Sequence, residues 1–123
     1  MRHNIGIGHM KASASTGDEI KTYALGSCVA VILYDKKAKI AGMIHIALPD
    51  STVNTEKSKT LPGYFVDTGM PLLLKDFKKL GGDRKTTVIK IVIVAVVFWK
   101  RFFKFQVVII VKYISEEGYE WIQ

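Results

Sequence analysis

The chain has 123 residues, 49% of them apolar and 24% charged, which fits one globular domain and excludes a largely disordered chain. A formal charge of +7 and a pI near 9.5 favour a solvated basic face or an acidic partner. One cysteine and three histidines (His3, His9, His45), with no C-x-x-C or H-x-x-x-H spacing, exclude a disulfide framework and a zinc site; the single thiol fits a reducing cytoplasm.

The N-terminal residues lack the apolar core and cleavage pattern of a signal peptide. Residues 4–12 alternate loosely and predict an opening strand, followed by a turn cluster from Ser13 to Asp18. Glu19 to Ala24 predicts a short strand, and Leu25-Gly26-Ser27 a tight turn. Cys28 to Tyr34 is a continuous β-branched apolar run, the pattern of a buried strand. Ile40 to Leu48 predicts its hairpin partner, ended by Pro49-Asp50. Ser51 to Gly63 is polar and without periodicity, and predicts a mobile surface loop. Tyr64 to Leu80 is the clearest helix, with Val66, Met70, Leu73, Leu74 and Phe77 on one face and Gly81-Gly82 as its stop. Thr86 to Phe98 predicts a strand. Phe102 to Ile114 has strand-like β-branched density, but the Ser115 to Gly118 segment after it resembles a helix end. The run from Ile91 to Trp99 is far shorter than the roughly 20 residues a spanning helix needs, so no membrane span is expected.

Chemistry concentrates around Cys28. Gly26 permits a tight turn, and the thiol then sits where that turn meets a buried strand. A hairpin turning near residues 36–38 pairs residues whose numbers sum to about 73, which sets Cys28 opposite His45. A cysteine beside a histidine is a nucleophile beside its base. Spacing alone also fits a cysteine acting as a small core hydrophobe and a hydrogen-bonded core histidine.

The stretch Leu25-Gly26-Ser27-Cys28-Val29-Ala30-Val31, with Gly42-Met43, His45 and Leu48-Pro49-Asp50, resembles the chemoreceptor glutamine deamidases of the CheD family. Ala41 stands where the family's second motif has its first glycine. The resemblance covers about residues 4–85, and Tyr64, Asp67 and Pro71 to Leu74 resemble the family's next helix. It implies a compact single α/β domain over residues 1–123, with packed β-sheets flanked by helices in α/β/β layers. It also implies Cys28 as nucleophile, His45 as base and Thr22 as the third member, with no metal or organic cofactor. Backbone groups near Ser27 and Cys28 would stabilise the oxyanion. The implied substrate is a glutamine side chain of a methyl-accepting chemoreceptor, and a CheC-type phosphatase is the implied partner.

From about residue 92 the chain departs from the family pattern. Val92-Ile93-Val94-Ala95 replaces a glycine-rich stretch, and the chain stops at Gln123 where relatives continue. Two alternatives follow: a catalytically silent relative that binds a chemotaxis partner, or a basic nucleic-acid or membrane-surface domain. For the second, Lys57, Lys59, Lys78, Lys79, Arg84, Lys85, Lys100, Arg101 and Lys104 supply charge among Phe102, Phe103 and Phe105. Solvated charge and core aromatics account for the same pattern, so no nucleic acid is expected.

Overall fold

The computed structural model describes residues 1–23, 28–93, 109–115 and 118–122. Among them lie strands β1 (Arg2–Ile5), β2 (Met10–Ser13), β3 (Glu19–Thr22), β4 (Val29–Asp35), β5 (Ile40–Ile46), β6 (Thr87–Ile93), β7 (Ile109–Ser115) and β8 (Gly118–Ile122), and helices α1 (Thr55–Thr60) and α2 (Val66–Lys79). The strands form two four-stranded sheets, ordered β1-β3-β7-β8 and β2-β5-β4-β6. The fold is mixed α/β.

The central strands of the β2-β5-β4-β6 sheet, β4 and β5, are covered on both faces, which explains why they read as unbroken apolar runs rather than alternating ones. Its inner face sets Cys28, Ala30, Ile32 and Met43 against Ile5 and Ile20 of the other sheet. Its outer face sets Val31, Leu33, Ile40, Ile44 and Ile46 against Leu73 and Phe77 of α2. All seven residues of β5 are buried. Gly42 lets the helix approach: a Cβ there would lie 3.3 Å from Leu73 Cδ1 and 3.5 Å from Phe77 Cδ2.

The predicted opening strand over residues 4–12 is two strands. Gly8, at φ +82°, lets the chain turn between them, and the His9 N–H donates to the Gly6 carbonyl at 3.0 Å. β1 then runs parallel to β3, while β2 pairs antiparallel with β5 in the other sheet. The predicted mobile loop over residues 51–63 is ordered into short helices. The Asp50 side chain accepts from the Thr52 N–H at 2.9 Å and Asn54 accepts from the Lys57 N–H at 3.1 Å, so polar residues without periodicity serve here as helix caps.

The predicted helix is α2. Gly69, Leu73 and Phe77 are its buried residues, while Val66 and Leu74, placed on the apolar face by periodicity, are 41% and 47% exposed. At its end the Gly81 N–H donates to the Lys78 carbonyl and the Gly82 N–H to the Phe77 carbonyl, both at 3.0 Å, with Gly81 at φ +107°. This is the Schellman closure that the glycine pair predicts. The described part of the predicted 86–98 strand is β6. Within the ambiguous 102–114 segment, residues 109 onward form β7, and Ser115 pairs with Gly118 of β8 where a helix end was expected. Residues 94–108 lie outside the described residues.

Candidate active site

The hairpin register decides how Cys28 and His45 face each other. Ala30 pairs with His45 and Val29 with Ile46, so extending the register by one residue sets Cys28 beside Ala47. The expected direct opposition of Cys28 and His45 is therefore displaced by two residues. The cause is the connection: Lys36 to Lys39 form a four-residue turn, with Lys39 in the left-handed region at φ 58°. The Asp35 carboxylate holds that turn, accepting from the Lys37 and Ala38 N–H groups at 3.0 Å each. A shift of two keeps both residues on one face, where a shift of one would have separated them. Cys28 and His45 become diagonal neighbours, a relation that spans about 7–8 Å between backbones and lies within reach of a long side chain.

His45 is fully buried on the inner face and points toward the other sheet. Its Nδ1 lies 2.7 Å from Thr22 Oγ1, and the Thr22 hydroxyl donates its proton to the Ile5 carbonyl at 2.9 Å. A hydroxyl has one proton, so Thr22 must accept at its other contact, and Nδ1 must carry the hydrogen. The neutral ring therefore keeps its lone pair on Nε2, the atom a base needs. Among the described residues, that buried Nε2 has no hydrogen-bond partner.

The His45 backbone is held as firmly as its ring. The Gly8 N–H donates to the His45 carbonyl at 2.7 Å, and the His45 N–H donates to the His9 carbonyl at 3.1 Å. Sequence reasoning missed both the Ile5 carbonyl and this clamp. The Gly6-Ile7-Gly8 spacing, two glycines inside a strand-like run, was the signal for the turn.

Electrostatics follow burial. Cys28 is 8% exposed, and desolvation pushes its thiol above the ordinary range. Desolvation likewise pulls His45 below its usual 6.5. Both groups thus rest neutral near pH 7, and a proton must move between them for the sulfur to become nucleophilic. Thr22, His45 and Cys28 are the predicted residues that the fold brings to one region; Ser27 lies outside the described residues. No group of three or more His, Cys, Asp or Glu side chains among the described residues is placed to hold a metal ion. No helix among them is long and apolar enough to cross a membrane.

The arrangement defines a two-sheet α/β domain with a cysteine and a tautomer-fixed histidine at the sheet interface. Comparison with known proteins shows what it is similar to. The family model described as CheD chemotactic sensory transduction matches residues 47–102. The chain is 46% identical over 87 residues to the probable chemoreceptor glutamine deamidase CheD 1 of Syntrophus aciditrophicus, covering 71% of this chain and 54% of that one. It is 54% identical over 77 residues to the probable chemoreceptor glutamine deamidase CheD of Syntrophotalea carbinolica, covering 63% and 48%. The corresponding protein of Thermococcus kodakarensis is 41% identical over 83 residues, covering 68% and 50%. Over the matched residues the chain is similar to the CheD family, and it spans about half the length of the curated relatives it matches.

Proposed function

We propose that this chain deamidates glutamine side chains of chemoreceptors, with Cys28 as nucleophile, His45 as base and Thr22 as the group that orients the imidazole. The supporting observation is the Thr22–His45 hydrogen bond, which leaves the Nε2 lone pair of His45 free on the sheet face it shares with Cys28. Nε2 takes the thiol proton as sulfur attacks the carboxamide carbon. The tetrahedral adduct collapses when the imidazolium returns that proton to the departing nitrogen, releasing ammonia and leaving a thioester on Cys28. Water then attacks the thioester, with His45 as base, giving glutamate and the free thiol. Backbone N–H groups of Ser27 and Cys28 are the proposed oxyanion donors. No step calls for a metal or an organic cofactor.

The raised thiol and the lowered imidazole favour this concerted transfer over a preformed thiolate–imidazolium pair. On the same reading residues 1–123 act as one domain in the cytoplasm, the receptor is a protein substrate rather than a nucleic acid, and a CheC-type phosphatase is the regulatory partner. The test is incubation with a receptor cytoplasmic fragment, followed by ammonia release and by mass spectrometry for a gain of about one dalton per site. Product from the native chain and none from Cys28→Ala is the expected result. No product from the folded native chain overturns the enzyme reading, and equal product from Cys28→Ala overturns the mechanism.

A further inference from the structure

The His45 peptide is clamped on both sides by the turn joining β1 to β2, through Gly8 and His9. That turn rests on a second glycine, Gly63, in the segment between α1 and α2. A Cβ at Gly63 would overlap the Gly8 carbonyl oxygen and lie 2.9 Å from its carbon. Gly69, in the first turns of α2, stacks behind: a Cβ there would lie 2.9 Å from Gly63 Cα. Leu61 closes the other side of Gly8, with its Cδ2 2.6 Å from where a Cβ would sit. Backbone therefore meets backbone in a column running from α2 through Gly63 and Gly8 to the His45 peptide.

We infer that Gly63 is a positioning residue for His45, acting through the Gly8–His9 turn. The inference rests on the proposed role of His45 as base. The ring is anchored at two places that belong to different elements: its backbone to the Gly8–His9 turn and its Nδ1 to Thr22 of β3. The Nδ1–Thr22 bond forms only while the turn holds the peptide at the right depth between the sheets. A methyl group at Gly63 drives into the Gly8 carbonyl, which is backbone and has no rotamer to escape into. The turn must shift, and the His45 peptide shifts with it. Misplacement by about 1 Å at a distance from the chemistry can lower turnover on the order of a hundredfold.

The test compares Gly63→Ala with Gly82→Ala. The second is an equally crowded glycine whose Cβ would overlap the Phe77 ring at the far end of α2, away from His45. Three readouts are taken: the fold by circular dichroism and melting, the His45 imidazole nitrogen signals by NMR, and kcat and KM for deamidation. The expected result is that both variants melt earlier. Only Gly63→Ala loses the Nδ1–H tautomer signature, and only its kcat falls, by tenfold or more, with KM within about twofold. Leu61→Ala loosens the same turn without overpacking it, and it should weaken the same tautomer signature even if Gly63→Ala does not fold. Retention of the native imidazole signature in the folded Gly63→Ala and Leu61→Ala variants overturns the inference. So does equal loss of that signature in Gly82→Ala. The NMR readout needs no substrate, so a native chain without deamidase activity refutes the proposed function while leaving this inference separately decided.

Discussion

Thr22→Val removes one oxygen and nearly nothing else. Thr22 is fully buried, and valine matches its shape. The change deletes the acceptor of the His45 Nδ1–H and the donor to the Ile5 carbonyl. A buried donor left unpaired costs about 1–3 kcal/mol. Part of that appears as lost folding stability. In the catalytic step the same energy matters again, because the hydrogen bond strengthens as the ring gains positive charge. At about 1.4 kcal/mol per tenfold, a loss of 1–3 kcal/mol lowers turnover roughly 5- to 150-fold. The ring is also free to move its proton to Nε2, which removes the base altogether. The assay is urea unfolding beside the rate of Cys28 alkylation by iodoacetamide across pH and the rate of deamidation. Thr22→Ser keeps the hydroxyl and should stay within a fewfold of the native rates. A Thr22→Val protein that folds, alkylates and turns over like the native chain refutes the tautomer argument.

Asp35 is fully buried, and besides the Lys36–Lys39 turn it binds the Asp83 N–H at 2.7 Å and the Thr86 hydroxyl at 2.8 Å. Burial works to raise its pKa, and the bonds from Ala38, Asp83, Thr86 and Lys37 overcome that and hold it low. Asp35→Ala should lower stability by about 3 kcal/mol in urea titration, because it strands several donors and frees the turn that sets the β4–β5 register. Phe77→Ala should cost about 3–5 kcal/mol by the same assay, since the ring fills the contact between α2 and the sheet. His45 and Asp35 each give the pH dependence of stability a window on the acid side. The folded pKa of His45 lies below its ordinary 6.5, so the unfolded chain binds more protons and stability falls as pH drops below 6.5. His45→Phe should flatten that window. The folded pKa of Asp35 lies below 3.8, so its contribution persists above that value and disappears as pH falls further.

Legibility in the sequence followed the strength of the physical signal. The β4 run, the β5 run and the Gly81-Gly82 stop of α2 were plain, because burial on two faces and a left-handed helix terminus each demand particular residue types. The Lys36–Lys39 turn was not, since a lysine rather than a glycine or asparagine takes the left-handed position. The turn therefore sets a register two residues away from the one the hairpin spacing predicts. The order in residues 51–63 comes from side-chain caps and from Asp67, which accepts from the Ser51 N–H at 3.0 Å and from its hydroxyl at 2.7 Å. The caps are local and the Asp67 contacts tertiary, and neither leaves a periodic trace. Cys28 and His45 stood out by residue type. Thr22 came only from the family resemblance, because its hydrogen bond joins two sheets that no local pattern relates. The Gly8–Gly63 contact joins residues far apart in the chain and was invisible for the same reason.

The covalent step proposed at Cys28 is tested by trapping the intermediate. The chain is mixed with a receptor cytoplasmic fragment, quenched in acid within the first turnover, and weighed intact. The expected product is an adduct whose mass is the sum of the two proteins less one ammonia, mapped to Cys28 and absent in Cys28→Ala. Deamidated receptor formed at the native rate by Cys28→Ala, with no adduct in either protein, would contradict that step.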